Sequence, residues 1–353
     1  MTILITTGGS GGHIYPALTV ARSLRERGHK VFFAGVFKQW KNDIEEEGFS
    51  LFELPAKGWQ SNSLKDFIVS ARSMLKSIKF ASEILKDSAP ERVLGFGGYG
   101  SFPIVLMAAV RRIPVVIHEQ NVIPGRANRL LSGFARRILV SFPESVRYFP
   151  SSKVIETGYP VRPFLGCLDQ EEIFKEFGFS KLLTIAVVGG SQGSRSLNHI
   201  VLQAMALLKD LFDFQVIHLT GKTDEDIIRM GYQRLGIRHQ VFPFLKMMEK
   251  VYLIADVIIS RAGAGALHEI AHFNIPAVIV PYPYAGGHQK YNAAAFLKNG
   301  RGIMIEEKNL SPKRLCAEIN QLGRKTLPAG TGENTPKRNP VDEIIKALIE
   351  DTK

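Results

Sequence analysis

Short runs of apolar and β-branched residues alternate along the chain with longer segments whose apolar positions recur at helical spacing. Near-continuous apolar strands separated by helices are typical of parallel sheets that are covered on both faces. The pattern therefore predicts an α/β fold with two doubly wound, Rossmann-like parallel-sheet domains. The predicted strands are Ile3–Thr7, Val31–Ala34, Arg92–Phe96, Val115–His118, Ile138–Ser141, Val154–Thr157, Thr184–Val188, Gln215–Leu219, Gln240–Phe242, Asp256–Ser260, Ala277–Val280 and Gly302–Ile305.

A segment rich in proline and glycine, Gly158–Pro163, separates the two series of strands. A chain of 353 residues also exceeds the size at which single cores stop growing, about 250–300 residues. We therefore expect an N-terminal domain of residues 1–162 and a C-terminal domain of residues 163–353. Leu327–Pro340 is typical of a loop, and the helix expected after it, Val341–Ile349, could pack back on the first domain.

The net charge of +12 favours anionic partners. No nucleic-acid-binding motif is present, so phosphorylated substrates and an acidic membrane surface are the preferred partners and nucleic acid is not expected. The two cysteines, Cys167 and Cys316, lie far apart, which fits a reducing cytoplasm better than a disulfide or zinc site. The N-terminal run resembles a strand rather than a signal peptide, and no apolar run reaches the length of about 18 residues that a membrane-spanning helix needs.

The first glycine-rich loop, Gly8–His13, joins a predicted strand to a helix predicted from Tyr15 to Arg27. Free N–H groups and the helix dipole favour an anion at such a turn, so we interpret it as a phosphate or sugar site rather than a plain turn. It lacks the dinucleotide fingerprint, since Ile14 stands where glycine is required, and it lacks the Gly-Lys-Ser/Thr of a P-loop. The dipole would keep His13 neutral, which makes it a candidate general base, although it could simply cap the turn.

Two more polar segments follow strands of the same predicted domain. Gly95–Ser101 is a second glycine-rich loop, which indicates either a substrate with two phosphates (or a phosphate and a sugar) or a plain connection. His118–Asn121 places four hydrogen-bonding side chains at the end of a strand. Glu119 could hold a sugar ring or accept a proton, or it could pair with Arg126 or Arg129.

The second half repeats this arrangement. Gly189–Gly193 follows its first strand, and Ser260–Glu269 forms a turn of small residues that leads into a helix. Glu269 could bind both ribose hydroxyls of a nucleotide, or it could be an ordinary acidic residue of a first helical turn. His288–Asn292 is a polar cluster that opens another helix. Asp224–Asp226 resembles an Asp-x-Asp metal motif, but we interpret it as a solvated helix start and expect no metal.

The segment Leu64–Leu85 predicts an amphipathic helix in which apolar positions are mixed with basic ones. An ordinary surface helix that packs on a sheet accounts for this pattern. The alternative is a basic, apolar patch that touches anionic lipid. Its basic residues are Lys65, Arg72, Lys76, Lys79 and Lys86.

These motifs together resemble the MurG family, bacterial transferases that add N-acetylglucosamine to lipid I in peptidoglycan synthesis. The resemblance runs to about residue 310 and rests on Gly8–His13, Gly97–Tyr99, His118–Asn121, Gly158–Arg162, Gly189–Gly193, Arg261–Ala264 and Gln289–Asn292. It implies the GT-B fold, two domains that face a cleft, and an inverting single displacement without metal or cofactor. It also implies UDP-N-acetylglucosamine and lipid I as substrates, the cytoplasmic face of the inner membrane as the location, and other cell-wall enzymes as partners.

The resemblance further implies residue roles. His13 and Glu119 are the catalytic candidates. The implied donor-binding residues are Ser10, Gly11, Gly12, Asn121, Arg162, Ser191, Gln192, Leu245, Ala264, Gly265, Ala266, Leu267, His268, Glu269, Gln289 and Asn292. The implied acceptor-diphosphate residues are Gly9, Gly98, Tyr99 and Asn128.

Two positions depart from the family pattern, since Ala266 replaces the usual Thr and His288 replaces a common second Gln. Two other functions remain open: a UDP-N-acetylglucosamine 2-epimerase on a similar fold, and a non-catalytic sensor of nucleotide sugars or phospholipids.

Overall fold

The computed structural model describes residues 1–56, 64–162, 168–190, 193–284, 287–324 and 338–350, and the side chains of residues 64–68 are not described. The chain divides into two compact units. The first contains residues 1–162 together with residues 336–353, and the second contains residues 163–335. The loop predicted at Leu327–Pro340 lies almost entirely outside the described residues.

The first unit is built on a seven-stranded parallel sheet with strand order β3-β2-β1-β4-β5-β6-β7. Its strands are β1 (Thr2–Thr7), β2 (Lys30–Gly35), β3 (Ser50–Glu53), β4 (Arg92–Gly95), β5 (Val115–Glu119), β6 (Arg137–Val140) and β7 (Val154–Glu156). Its described helices are α1 (Gly11–Glu26), α2 (Lys41–Glu46), α3 (Leu64–Ser88), α4 (Phe102–Val110), α5 (Arg126–Leu131) and α13 (Pro340–Ile349). Central strands are buried along almost their whole length, as parallel strands covered by helices on both faces require.

The second unit is built on a six-stranded parallel sheet with strand order β10-β9-β8-β11-β12-β13. Its strands are β8 (Leu183–Val188), β9 (Phe214–Leu219), β10 (Arg238–Phe242), β11 (Val257–Ser260), β12 (Ala277–Ile279) and β13 (Gly302–Met304). Its described helices are α6 (Gln170–Glu176), α7 (Arg195–Leu208), α8 (Glu225–Leu235), α9 (Met248–Ile254), α10 (Ala264–His272), α11 (His288–Asn299) and α12 (Pro312–Gly323). Two apolar clusters pack against its strands.

The predicted fold class, two parallel-sheet α/β domains, is confirmed, and each predicted strand is present. One strand was missed: β3, which is short, lies at the sheet edge and is only partly buried. The first helix begins at Gly11, four residues before the predicted start at Tyr15. Pro16 is tolerated there because the carbonyl that loses its hydrogen-bond partner belongs to Gly12, which is exposed to water.

The last described helix, α13, packs against α1 of the first unit. Its buried face consists of Ile344, Ile345, Ala347 and Leu348. Asn339 caps its N-terminus by accepting a hydrogen bond from the Val341 N–H. In the described part of the chain, no helix combines the length and hydropathy needed to cross a bilayer.

Candidate active site

The order of the strands marks one crevice in each sheet. In the first sheet the chain moves outward from β1 to β3 and then places β4 on the other side of β1. In the second sheet it does the same around β8 and β11. Loops that follow such neighbouring strands diverge, and ligands of open α/β sheets bind in the gap between them. The two glycine-rich loops of the first unit follow β1 and β4, and Gly189–Gly193 follows β8.

The loops after β1 and β4 are in direct contact. The Gly8 N–H donates to the Gly97 carbonyl at 2.9 Å. Gly98 has φ +80°, and a Cβ on it would lie 2.8 Å from the Gly8 Cα. Glycine is therefore required here by both backbone conformation and close approach. Gly11 and Gly12 begin α1, and no acceptor among the described residues takes their N–H groups, which leaves donors for an anion.

His13 is the third residue of α1, and its Nδ1 lies 3.1 Å from the Gln120 Oε1. Burial lowers the pKa of His13 below its ordinary value, against the opposing effects of the Glu119 charge and of hydrogen bonds to Gln120 and Phe96. The imidazole is consequently neutral at pH 7, as the sequence predicted. Burial, rather than the helix dipole expected from the sequence, is the largest cause of this lowered pKa.

Glu119 ends β5 and is buried. Its Oε1 accepts from the backbone N–H of Asn121 at 2.9 Å and from that residue's Nδ2 at 3.2 Å. Its Oε2 accepts from the Gly125 N–H at 3.0 Å and the Asn128 Nδ2 at 2.9 Å. Among the described residues it forms no ion pair with Arg126 or Arg129. Four donors occupy the carboxylate, so it closes the turn after β5, a role that the sequence did not predict.

Asn128, predicted to contact the acceptor diphosphate, is 2% exposed and lies beneath Gly97. Its Nδ2 donates to the His118 carbonyl at 3.1 Å as well as to Glu119. The structure therefore gives this side chain a supporting position under the second glycine-rich loop. Tyr99, by contrast, is only partly buried.

Lys38 is a further residue of this site that was not predicted from the sequence. Its side chain lies across Gly9, whose Cβ position would be 3.1 Å from the Lys38 Cδ, and its Nζ is 6.0 Å from the centroid of the Tyr99 ring. Lys38 has φ +50°, an uncommon conformation for a residue with a side chain. A basic residue shortly after the end of β2 was the available signal, because that strand end lies at the same sheet edge as the loops.

Arg162, a predicted donor contact, places its guanidinium 3.7 Å from the centroid of the Tyr15 ring on α1. Tyr15 in turn packs edge-on against Trp40 at 5.3 Å. Cation–π contact of this kind fixes the direction of a long basic side chain. Arg162 is thereby held next to the helix that carries His13.

In the second unit, two polar residues of α11 anchor the backbone around the turn after β11. Gln289 Oε1 accepts from the N–H groups of Ala262 and Tyr282, each at 2.9 Å. Asn292 is fully buried and donates to the Ala262 carbonyl at 3.2 Å. The carbonyl end of Gln289 is therefore committed to backbone, and its amide NH₂ is the end that can donate to a ligand.

Helix α10 carries most of the remaining predicted donor contacts. Ala264, Gly265 and Ala266 form its first turn, where free N–H groups favour phosphate. Glu269 is buried, and its Oε2 accepts a hydrogen bond of 2.7 Å from the Tyr252 hydroxyl. His268 bonds the Ala264 carbonyl through Nδ1 at 2.8 Å.

Two further residues predicted to contact the donor are apolar and belong to the core. Leu267 is 1% exposed, so any contact with a ligand would use its main chain. Leu245 is partly buried and packs on the same apolar cluster.

Gly193 ends the loop after β8 with φ +74°, and a Cβ there would lie 1.9 Å from the Thr220 carbonyl oxygen. Glycine is therefore required at this position. Arg261 is buried and donates to Ser194 Oγ at 2.6 Å and to Glu307 at 2.7 Å, which ties this loop to the one after β13. Ser191 and Gln192, predicted to bind donor, lie outside the described residues.

The interpretation of Asp224 as a solvated residue is wrong. Asp224 is 2% exposed, and its Oδ2 accepts from the Asn198 Nδ2 at 2.9 Å. The sequence pattern could not reveal this partner because Asn198 lies on α7. Among the described residues, no group of three or more His, Cys, Asp or Glu side chains could hold a metal ion.

Comparison with known proteins extends this picture. The glycosyltransferase family 28 N-terminal domain matches residues 3–140, and the family's C-terminal domain matches residues 184–348. The chain belongs to glycosyltransferase family 28. A relative from Halothermothrix orenii is 36% identical over 100% of this chain and 99% of its own length. It is named UDP-N-acetylglucosamine–N-acetylmuramyl-(pentapeptide) pyrophosphoryl-undecaprenol N-acetylglucosamine transferase, as is one from Desulfotalea psychrophila that is 37% identical over 90% of this chain and 86% of its own length.

Solved structures agree with this membership. MurG from Acinetobacter baumannii has a TM-score of 0.74 at 27% identity and covers 98% of each chain. The predicted resemblance to the MurG family and the GT-B fold are thus confirmed. A UDP-GlcNAc 2-epimerase from Neisseria meningitidis has a TM-score of 0.67 at 16% identity, covers 99% of this chain and 100% of its own, and shares the fold alone.

Proposed function

We propose that this chain transfers N-acetylglucosamine from UDP-N-acetylglucosamine to lipid I, undecaprenyl-diphosphate-N-acetylmuramyl-pentapeptide, and so forms lipid II for peptidoglycan synthesis. The observation that carries the proposal is that a relative named for this transfer is 36% identical to the chain over its whole length. The epimerase resemblance is limited to the fold, and the neutral His13 in the crevice of the first unit argues for chemistry rather than sensing.

The reaction is a single displacement with inversion. His13 accepts the proton of the attacking acceptor hydroxyl, the oxygen forms a bond to the anomeric carbon of the donor sugar, and the bond from that carbon to the UDP oxygen breaks. Charge grows on the leaving diphosphate as this bond breaks. The free N–H groups in the first turn of α10 and the amide NH₂ of Gln289 are suited to stabilise that charge.

The two units divide the substrates. The glycine-rich loops of the first unit, with Lys38 beside Gly9, provide N–H donors and a cation for the diphosphate of lipid I. The second unit binds UDP-N-acetylglucosamine through α10 and α11, with Glu269 on the ribose hydroxyls. The Tyr252 hydroxyl donates to Glu269 Oε2 at 2.7 Å and so helps to fix the direction of this carboxylate.

Because the proposed acceptor is a membrane lipid, the enzyme must work at the cytoplasmic face of the inner membrane. The first unit has a surface suited to contact with that membrane. Helix α3 buries Ala81, Ile84 and Leu85 but exposes apolar and basic residues elsewhere. Packing of α3 on α4, and of α4 on α5, continues this surface. We define the α3–α5 patch as Val69, Arg72, Leu75, Lys76, Lys79, Phe80, Val110, Arg111, Arg112, Leu130 and Phe134.

An ordinary surface helix accounts for the buried face of α3 but not for the exposed apolar residues. Leu75 is 68% exposed, Val110 is 65% and Leu130 is 67%. Apolar residues surrounded by arginine and lysine are suited to the interface of an anionic bilayer, where each basic residue contributes about 1 kcal/mol. We therefore propose that the α3–α5 patch rests on the membrane. Other cell-wall enzymes are further proposed partners at that surface.

The test of the reaction is to incubate purified protein with UDP-N-acetylglucosamine, with and without a lipid-diphosphate-sugar acceptor, and to measure UDP release. We expect release only when the acceptor is present. Conversion of the donor without acceptor would indicate an epimerase or hydrolase, and donor binding with no turnover in either mixture would indicate a sensor.

A further inference from the structure

A chain of hydrogen bonds runs from His13 into the interior of the first unit. His13 Nδ1 lies 3.1 Å from Gln120 Oε1. Gln120 Nε2 lies 3.2 Å from His118 Nδ1, and His118 Nε2 lies 3.1 Å from the Gly158 carbonyl oxygen. His118 and Gln120 are buried, at 0% and 2% exposure, so each polar atom depends on its protein partner.

The donor and the acceptor of each hydrogen bond in this series can be assigned by starting at its inner end, the Gly158 carbonyl. A carbonyl oxygen can only accept, so the His118 Nε2 that faces Gly158 carries hydrogen. His118 Nδ1 then has a lone pair, which accepts from Gln120 Nε2. That amide nitrogen also faces the carbonyl oxygens of Phe96 at 3.0 Å and His118 at 3.2 Å, so the amide cannot be reversed.

The outer end of the chain is thereby fixed as well. Gln120 Oε1 can only accept, so His13 Nδ1 must donate to it and must carry hydrogen. In the neutral ring Nε2 then has the lone pair. The ring edge that carries Nε2 faces the second glycine-rich loop, because His13 Cδ2 lies 3.5 Å from the Cβ position of Gly98.

We propose that Gln120 and His118 are positioning residues that hold His13 in the tautomer protonated at Nδ1, so that Nε2 is free to take the proton of the acceptor hydroxyl. This inference rests on the proposed role of His13 as base. These hydrogen bonds suit both the neutral and the protonated form of His13, since Nδ1 donates to Gln120 before and after Nε2 gains the proton. An amide partner also leaves the pKa of His13 low enough for the neutral form, which a carboxylate partner would not.

The first test observes the tautomer directly and does not require activity. The full chain, labelled with ¹⁵N-histidine, is studied by long-range ¹H–¹⁵N NMR above the pKa of His13, and the His13→Gln variant assigns the signal. We expect a protonated Nδ1 and an unprotonated Nε2 in the unmodified protein. In Gln120→Met we expect a shift toward protonated Nε2. A wild-type His13 protonated mainly at Nε2 would overturn the proposal.

The second test separates positioning from folding through kinetics. We expect Gln120→Met to lower kcat about tenfold or more, a share of what a general base contributes, while KM for UDP-N-acetylglucosamine changes by less than about twofold. His118→Phe should cost less, because it keeps the ring contact with Phe96 and the two carbonyls that orient Gln120. Gln203→Met, at an exposed position on α7, is the matched control.

The pH profile provides a further check. The Glu119 charge acts directly on His13, and His118 lies behind Gln120. Lys38 and Tyr99 belong to the neighbouring loops, and Arg162 lies against Tyr15 on the same helix as His13. Since the hydrogen bond that His13 donates to Gln120 raises the pKa of His13, its loss should move the acidic limb of the kcat–pH profile to lower pH. A folded Gln120→Met variant with unchanged kcat and an unchanged acidic limb of the kcat–pH profile would contradict the positioning role of Gln120. Full activity in His13→Ala would instead contradict the base role itself.

Discussion

At the residue scale, Glu119 combines a catalytic location with a structural set of partners. Its four donors come from Asn121, Gly125 and Asn128, all of which follow it within nine residues of the chain. We expect Glu119→Gln to destabilise the first unit by about 1–3 kcal/mol, because the new NH₂ must face N–H donors. Urea unfolding followed by tryptophan fluorescence measures this change, and Glu26→Gln at the exposed end of α1 is the control.

The same variant distinguishes a supporting carboxylate from a general base. The Glu119 charge raises the pKa of His13, so its removal lowers that pKa. In the proposed mechanism His13 acts as base when neutral, so the acidic limb of the kcat–pH profile should move to lower pH and persist. Disappearance of that limb in Glu119→Gln, with an unchanged unfolding midpoint, would identify Glu119 as the proton acceptor.

The sequence located His13 because it follows a glycine-rich loop at a helix start, and Glu119 because a polar residue at the end of a buried strand is conspicuous. It could not assign Glu119 its role, since the four donors are two backbone N–H groups and two side-chain amides whose directions are set by the folded chain after β5. The contribution of Gln120 was hidden for a similar reason. Its amide is oriented by the Phe96 carbonyl, 24 residues away in the chain, and by backbone geometry that has no sequence signature.

At the scale of single elements, α3 tests the membrane proposal. We expect the double variant Lys76→Glu and Lys79→Glu to weaken binding to vesicles that contain anionic lipid by about tenfold or more at physiological salt, since two attractive charges become repulsive. Vesicle flotation or surface plasmon resonance measures the affinity. Turnover of a soluble, short-chain acceptor should be unaffected.

A matched pair of lysines controls for net charge. Lys209→Glu and Lys313→Glu make the same change of charge on exposed positions of the second unit. We expect this variant to bind the vesicles as the unmodified protein does. Equal loss of binding in both variants would show a general charge effect and would count against the α3–α5 patch.

Helices and strands could be predicted from the sequence to the extent that their apolar residues are buried. The central strands are apolar along their length and were recognised from that alone. Strand β3 has the sequence Ser-Leu-Phe-Glu and only half-buried apolar residues, so its pairing with β2 depends on the sheet edge and not on a local pattern. For α3, the amphipathic pattern predicted the helix but could not decide between the two interpretations. Exposure in the folded unit favours the patch.

At the scale of the whole molecule, each of the two parallel sheets has one switch point, the place where the strand order reverses direction. These two switch points explain why four separate small-residue turns recur along the chain. Each turn follows a strand beside its sheet's switch point: β1 and β4 in the first unit, β8 and β11 in the second. This arrangement follows from strand order, which the sequence indicated only as two series of strands. The terminal helix predicted at Val341–Ile349 is present as α13, Pro340–Ile349, whereas α12 was not predicted. Residues 325–337 between the two helices are rich in Gly, Pro and Lys and carry no pattern, so the sequence could not decide which unit α13 joins.

Two leucines on either side of that segment test the division of the chain. Leu315 on α12 belongs to the core of the second unit, and Leu348 on α13 packs in the first. Truncation of either to alanine should cost about 2–5 kcal/mol. Both tryptophans, Trp40 and Trp59, precede Arg162 in the sequence, so their fluorescence reports on the first unit. We expect Leu348→Ala to lower the urea midpoint of this signal and Leu315→Ala to leave it in place, while only Leu315→Ala weakens UDP binding. A common shift in both variants would show that the two units unfold as one.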